Sequence, residues 1–273
     1  MQQLTTVYRF YRYGESFLNI GHHVYRASRR SDWCQRRGRL PHAESLVDDG
    51  YRVAGLDIDV DNLRNVRERS PDEVRLYECD VSDSGDVDSA VSDVIDQWGR
   101  IDILVNNAAV AEFAPFGEHT MAATRREFET NSFGYLRMIH AVLPHMQAHD
   151  DGIIHNMGSG TGDIGHPGLV GYAATKGAIK AVTRSLTLEL SETGISCPLM
   201  VPPTTDTRMS AHLEYPEWMR ATPADVGRKL AERIGSTGPV ITPDWQTAIG
   251  LYLVRRFPNL WAKTTSRFVE LEE

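Results

Sequence analysis

The chain has 273 residues, 41% of them hydrophobic and 24% charged, enough apolar material for the core of a soluble α/β domain. A formal net charge of −8 disfavours nucleic acid as a partner, because phosphate binding needs a surplus of Lys and Arg on one face. No apolar run approaches the ~20 residues of a membrane helix, and Met1–Ile20 lacks the apolar stretch of a signal peptide. Three scattered cysteines (Cys34, Cys79 and Cys197) lack metal-ligand spacing, which predicts a reducing, cytoplasmic setting and no metal site.

From Gly50 onward, short apolar runs rich in β-branched residues alternate with longer amphipathic stretches. Tyr51–Leu56 predicts a strand ended by Asp57, Asp59 and Asp61; a helix over Val60–Arg69 and a strand over Val74–Cys79 follow. Between Asp86 and Trp98, the apolar positions Val87, Val91, Val94, Ile95 and Trp98 form one helical face, which Gly99 stops. Ile101–Val105 is compact and apolar enough for a strand buried on both faces. Phe128–Met146 and Tyr172–Leu190 predict long helices, while Gly152–Met157 and Ile195–Val201 predict further strands. Near the end, Pro223–Ile234 reads as an amphipathic helix, before the apolar runs Pro239–Pro243 and Ile249–Val254. Strands alternating with helices imply right-handed crossovers, so the expected fold is a single α/β domain with a doubly wound, Rossmann-like parallel sheet.

The strongest chemical signal is Tyr172-Ala-Ala-Thr-Lys176. Residues four apart stack on one helix face, and an ammonium beside a phenol favours phenolate, turning a weak acid into a usable acid or base. Thirteen residues earlier, Ser159 follows a strand in a glycine-rich loop, at the strand end where doubly wound proteins place their sites. A hydroxyl there either hydrogen-bonds a substrate oxygen beside the tyrosine or simply caps a turn. Asn106-Asn-Ala-Ala109 also follows a strand, and its small residues, among them Ala108 after Asn107, let a flat cofactor approach the backbone. Asn131 is a poor helix former inside a helical stretch, which calls for a kink or a bound water.

Together these residues resemble the short-chain dehydrogenase/reductase family over roughly Gly50–Met209. Asn106-Asn-Ala-Ala109 is similar to the family's Asn-Asn-Ala-Gly, and Asn131, Ser159, Tyr172 and Lys176 match its catalytic tetrad in order and spacing. Asp80-Val81 resembles the acidic pair that meets the adenine, and Pro202-Pro-Thr-Thr-Asp-Thr207 the segment against the nicotinamide. The resemblance implies an oxidoreductase moving a hydride between a nicotinamide and a carbonyl or secondary alcohol. Tyr172 would be the general acid/base and Ser159 would polarise the substrate oxygen. Lys176 would lower the phenol pKa and hold the ribose, with Asn131 positioning a water. Asp57 stands where the family meets the adenosine ribose, and a carboxylate there repels a 2′-phosphate. The expected cofactor is therefore NAD, with NADP as the second possibility. A homodimer or homotetramer paired through the two long helices is expected too.

Two regions depart from the pattern. The family's glycine-rich pyrophosphate turn is absent; near its expected place, Asp32–Arg39, the chain reads Asp-Trp-Cys-Gln-Arg-Arg-Gly-Arg. Residues 1–48 are accordingly set apart as an atypical segment, either disordered or a damaged first βα unit, ahead of a dehydrogenase-like domain over 49–273. An out-of-frame reading of the gene is one account of this stretch. Arg26, Arg29, Arg30, Arg36, Arg37 and Arg39 acting as a substitute phosphate clamp is the other. From about residue 210 a helical tail is expected to cover an apolar small-molecule substrate, with Met200, Met209, Leu213, Tyr215, Trp218 and Met219 as candidate liners. The competing reading is a catalytically inactive relative that no longer binds dinucleotide and serves as a partner subunit or a non-functional variant.

Overall fold

The computed structural model of the chain describes residues 5–8, 11–13, 16–18, 43–61, 64–205 and 220–259. Strand β1 (Thr5–Tyr8) opens the described chain, followed by the antiparallel pair β2 (Tyr11–Tyr13) and β3 (Ser16–Leu18). Next come α1 (Ala43–Asp48), β4 (Arg52–Asp57), α2 (Arg64–Arg69), β5 (Val74–Glu78), α3 (Ser84–Trp98) and β6 (Ile103–Asn106). Helix α4 (Met121–Phe128) runs through a π-helical turn (Glu129–Phe133) into α5 (Gly134–Gln147). Then follow β7 (Gly152–Met157), α6 (Thr161–Ile164), α7 (Val170–Glu189), β8 (Ile195–Ser196) and β9 (Leu199–Met200). The described chain closes with α8 (Pro223–Ala231), β10 (Val240–Ile241) and α9 (Trp245–Arg256).

Strand order is β10-β9-β7-β6-β1-β4-β5, with β8 joining β7, and every pairing in this sheet is parallel. β1 lies at the centre, where the order reverses, so a crevice opens at the carboxyl ends of β1, β4 and β6. This central strand lies within the first 48 residues, where the sequence predicts no strand; its backbone pairs with Arg52–Gly55 on one side and Ile103–Leu104 on the other.

Alternation along each strand feeds two helical layers. Leu104, Ala54 and Ile154 face a core built with Val87, Val91 and Val94 of α3, Met138 and Val142 of α5, and Ile179 of α7. Ile103, Val105, Val53 and Val74 face the opposite core, with Leu46, Val66, Val226 and Leu230. The doubly wound α/β expectation is met, and α3 matches its predicted apolar stripe, with Asp83 capping its first turn through Gly85 N and Asp86 N.

Two predicted elements are corrected. Ile195–Val201 is not one strand but the short β8 and β9, split at Cys197-Pro198, where proline has no amide proton to give the ladder. Phe128–Met146 is not a continuous α-helix, because the π-turn at Glu129–Phe133 interrupts it around Asn131.

Val7 is register-paired with both Ala54 and Leu104. Val7→Pro removes a ladder donor at the sheet centre and should destabilise the protein by at least ~1–3 kcal/mol, read from urea denaturation. An unchanged midpoint would exclude β1 from the sheet.

Candidate active site

The carboxyl end of β7 leads into the Ser159 loop. Gly158 N donates to Met200 O (2.7 Å), tying the loop to β9, and Ser159 Oγ accepts from Thr161 N (3.3 Å) and Thr161 Oγ1 (2.9 Å). α6 then lies directly on α7: a Cβ on Gly162 would sit 2.7 Å from the Lys176 carbonyl carbon and 2.8 Å from Gly177 N, so no side chain fits there. Asp163 pairs with Lys180 of α7 and with Arg255 Nε of α9 (3.1 Å), which fastens the loop to the last described helix. The result brings Ser159 into hydrogen-bond contact with the Tyr172 side chain.

Lys176 lies one helical turn from Tyr172 and is 1% exposed. Its Nζ donates to Met157 O (2.9 Å) and Tyr135 OH (3.2 Å), and lies 5.7 Å from the centroid of the Tyr172 ring. Burial disfavours the ammonium and brings its pKa down to about 7. The expected lowering of the phenol is not what the geometry produces. Burial pushes Tyr172 up to about 12; the Ser159 hydrogen bond opposes this, and the Glu127 charge adds to it. The physical reason is burial, which disfavours the phenolate, while the Lys176 amine donates to Met157 O and Tyr135 OH and approaches only the Tyr172 ring.

Asn131 is fully buried in the π-turn. Its Oδ1 accepts Val110 N (2.7 Å), while Nδ2 donates to Val110 O (2.8 Å) and Thr175 Oγ1 (3.1 Å). One amide thereby clamps the loop after Asn106-Asn-Ala-Ala109 to the residue preceding Lys176. The helix-breaking residue is explained by this backbone clamp, and the widened turn is its local form. Below it, Asn106 Nδ2 donates to Asn156 Oδ1 (2.9 Å) and Asn156 Nδ2 to Thr183 Oγ1 (3.0 Å), locking the ends of β6 and β7 to α7.

Three residues here were not anticipated. Tyr135 sits four positions after Asn131, and that helical spacing is the signal that could have found it. Glu127 and His119 are buried together, with Oε2 3.4 Å from Nε2. Glu127 Oε1 also accepts Glu112 N (2.9 Å), and burial raises its pKa. A Cβ on Gly171 would come within 1.8 Å of Glu127 Oε2, so the glycine before Tyr172 makes room for that carboxylate. Nothing in the sequence pattern marks the Glu127–His119 pair.

The residues expected to meet a nucleotide line the same sheet edge. Asp57 ends β4, fully buried, with Oδ1 accepting Asp59 N (2.9 Å). Asp80 Oδ1 accepts Ser82 N (2.8 Å) and Ser82 Oγ (2.6 Å), and Val81 beside it is buried. Asn107 is half-buried and Ala108 buried after β6, and Pro202 is half-buried just past β9. Met200 packs into the core with Val105 and Ile241 and is no pocket liner. Thr207, Met209, Leu213, Tyr215, Trp218 and Met219 lie outside the described residues, as do the arginine cluster and Asp32–Arg39. His155, beside the Ser159 loop, is buried with Nε2 on Ile234 O (2.6 Å) and a pKa lowered to about 4 by burial.

A parallel sheet that reverses at a central strand, with a serine–tyrosine–lysine group at its carboxyl edge, defines a nucleotide-dependent α/β oxidoreductase. The chain belongs to the short-chain dehydrogenase family, whose profile (short chain dehydrogenase) matches residues 40–218. It is 32% identical to 2-(R)-hydroxypropyl-CoM dehydrogenase of Xanthobacter autotrophicus over 65% of this chain and 74% of that protein. It is 30% identical to galactitol 2-dehydrogenase of Agrobacterium fabrum over 78% and 84%. With sorbitol dehydrogenase of Cereibacter sphaeroides it shares 39% identity over 60% and 64%. Among solved structures, a short-chain dehydrogenase/reductase from Burkholderia phymatum in complex with NAD has the same fold (TM-score 0.73, 18% identity, 95% of each chain). So does a short-chain dehydrogenase from Streptomyces avermitilis (0.72, 22% identity, 97% and 98%). The chain is thus an oxidoreductase acting on CH–OH or C=O groups of a small molecule with a nicotinamide nucleotide, and the non-enzymatic reading is set aside. Among the described residues, no helix is long and apolar enough to cross a membrane.

The buried Lys176 sets a stability test. Its pKa falls from 10.5 unfolded to about 7 folded, so the penalty of burying its charge is complete below about pH 7 and fades as pH rises towards 10.5. The melting temperature of Lys176→Met minus that of the unsubstituted protein, both without nucleotide, should be largest at pH 6 and shrink steadily to pH 10. A difference that is flat in pH would contradict this burial.

Proposed function

We propose that the chain interconverts a secondary alcohol and its carbonyl with NAD(H), with Tyr172 as general acid in reduction and general base in oxidation. The observation that carries this reading is the hydrogen bond between Ser159 and Tyr172, directly before the turn of α7 that carries the buried Lys176 amine. A substrate oxygen in reach of both hydroxyls would be oriented by Ser159 and protonated by Tyr172. At a pKa of about 12 the phenol is protonated at neutral pH, the form that can give its proton to a carbonyl oxygen. In the alcohol-oxidising direction the Ser159 hydrogen bond, which lowers the Tyr172 pKa against burial, would favour the phenolate. Asn131 would act by holding Val110 and Thr175, which fixes the turn before Lys176.

The site residues fit a nicotinamide nucleotide: a buried carboxylate ends β4 beside the strand where the sheet order reverses. When bound, that group supplies or accepts the hydride. Asp57 would take the adenosine ribose, Asp80 and Val81 the adenine, Asn107 and Ala108 the face near the loop, and Pro202 with Thr207 the nicotinamide end, with Lys176 and Tyr172 at the second ribose. A carboxylate at Asp57 accepts from ribose hydroxyls and repels a 2′-phosphate, so NAD is preferred over NADP. Related folds have been solved with either nucleotide, NAD in the Burkholderia phymatum protein and NADP in ElxO.

The relatives are named for sorbitol, galactitol and 2-(R)-hydroxypropyl-CoM, so a substrate screen should span polyols as well as the apolar alcohols that the tail predicts. Pairing of two or four copies through α5 and α7 is part of the same reading, supported by Phe133 (45% exposed) at the start of α5 and Leu188 (75%) near the end of α7. So is residence in a reducing cytoplasm, supported by cysteines that are few and scattered along the chain, with Cys79 and Cys197 buried.

Tyr172→Phe keeps the ring and removes the proton. It should lower kcat on the best substrate of the screen by ~10²–10⁴ while leaving NADH binding intact. Turnover within a factor of two of the unsubstituted enzyme would overturn Tyr172 as the acid/base.

A further inference from the structure

Lys176 has a second phenol beside it. Tyr135 opens α5 immediately after the π-turn, is 1% exposed, and is among the largest fully buried side chains of the described fold. Its ring packs in the core with Val81, Met138 and Leu104, a position that hydrophobicity alone would fill with phenylalanine. A buried tyrosine hydroxyl needs a polar partner, and here it accepts a proton from Lys176 Nζ at 3.2 Å. The same Nζ lies 5.1 Å from the Tyr135 ring centroid and 5.7 Å from that of Tyr172, so one amine sits between two phenols. The π-turn makes this possible: one extra residue rotates the following helix by ~100°, re-aiming the first turn of α5.

We propose that Tyr135 is a positioning residue for Lys176: its hydroxyl, together with Met157 O, holds the ammonium in the buried slot beside Tyr172. The inference rests on the reading of Tyr172 and Lys176 as the reacting pair. Burial and the Tyr172 charge keep the Tyr135 hydroxyl well above its ordinary value, so it remains a neutral acceptor throughout the working range. Among the described residues, the charged and titratable groups around this amine are Tyr172 on its own helix, Tyr135 on α5 and, acting through Tyr172, Glu127 of α4 with its partner His119. The Ser159 hydroxyl completes the set through Tyr172. Of these, Tyr135 alone gives Lys176 a side-chain acceptor among the described residues. A hydrogen bond accepted from an ammonium favours the charged form, so Tyr135 opposes the burial that drives Lys176 towards the neutral amine.

Tyr135→Phe separates this role from packing, since it preserves the ring and deletes only the acceptor. The direct readout is the Lys176 titration, followed by NMR of protein labelled at the lysine ε-carbon and assigned by the signal lost in Lys176→Met. The midpoint should fall by about one pH unit in Tyr135→Phe, with the melting temperature little changed. On a substrate from the screen, the alkaline limb of kcat should move down by the same amount while KM for NADH holds. An unmoved midpoint in a folded Tyr135→Phe protein overturns the inference, whatever the activity. If that variant does not fold, a ring-fluorinated tyrosine at position 135, equal in size but a weaker acceptor, should shift the midpoint in the same direction, and no shift there overturns it equally. Tyr172→Phe run in parallel keeps the two claims apart: retained turnover would sink the acid/base assignment, while the Lys176 midpoint reports on Tyr135 alone.

Discussion

The arrangement depends on one costly placement, a lysine amine held out of water on the inner face of α7. An ammonium in that position loses its hydration, and no carboxylate pairs with it among the described contacts. It is held instead by the Met157 carbonyl at the end of β7 and the Tyr135 hydroxyl at the start of α5. Each neighbouring element is fixed by its own contact. The Asn106–Asn156–Thr183 ladder locks the strand ends against α7, Asn131 ties the β6 loop to Thr175, and the bare Gly162 lets α6 lie on the turn that carries Lys176. The site is therefore a consequence of how β6, β7, α5 and α7 meet, with little freedom left to its polar groups.

The same geometry divides the chemistry. The sheet reversal at β1 leaves one strand-end edge that runs from Asp57 to Pro202, with the Ser159 loop at its β7 end. The Asp163 pairing with Lys180 and Arg255 couples the Ser159 loop to α9, so the C-terminal part of the domain reports mechanically on the position of that hydroxyl. The relatives that the chain matches are named for substrates as different as galactitol and 2-(R)-hydroxypropyl-CoM.

Much of this is legible in the sequence. Strand–helix alternation from Gly50 carried the doubly wound sheet, because period-two and helical apolar patterns survive whatever the loops do. The spacing of Asn131, Ser159, Tyr172 and Lys176 carried the grouping of the site. What was hidden was hidden for physical reasons. β1 is a run of only four residues, Thr5–Tyr8, without the glycine turn that would mark it as the opening of a nucleotide fold. Pro198 breaks an otherwise strand-like run, and the π-turn around Asn131 leaves no mark in a pattern that averages over turns. The upward shift of Tyr172 comes from burial, which helical spacing does not reveal. Tyr135 and the Glu127–His119 pair look like ordinary core and surface positions until burial shows them packed beside Lys176 and Tyr172.

The most direct test of the central claim, a nicotinamide-dependent dehydrogenase selected for NAD by Asp57, is a titration of the purified protein with NADH and with NADPH, followed by the fluorescence of its five tryptophans. Saturable quenching by NADH at lower concentration than by NADPH is the predicted result. Tighter binding of NADPH would contradict Asp57 as the selector, and no binding of either nucleotide would contradict the account as a whole.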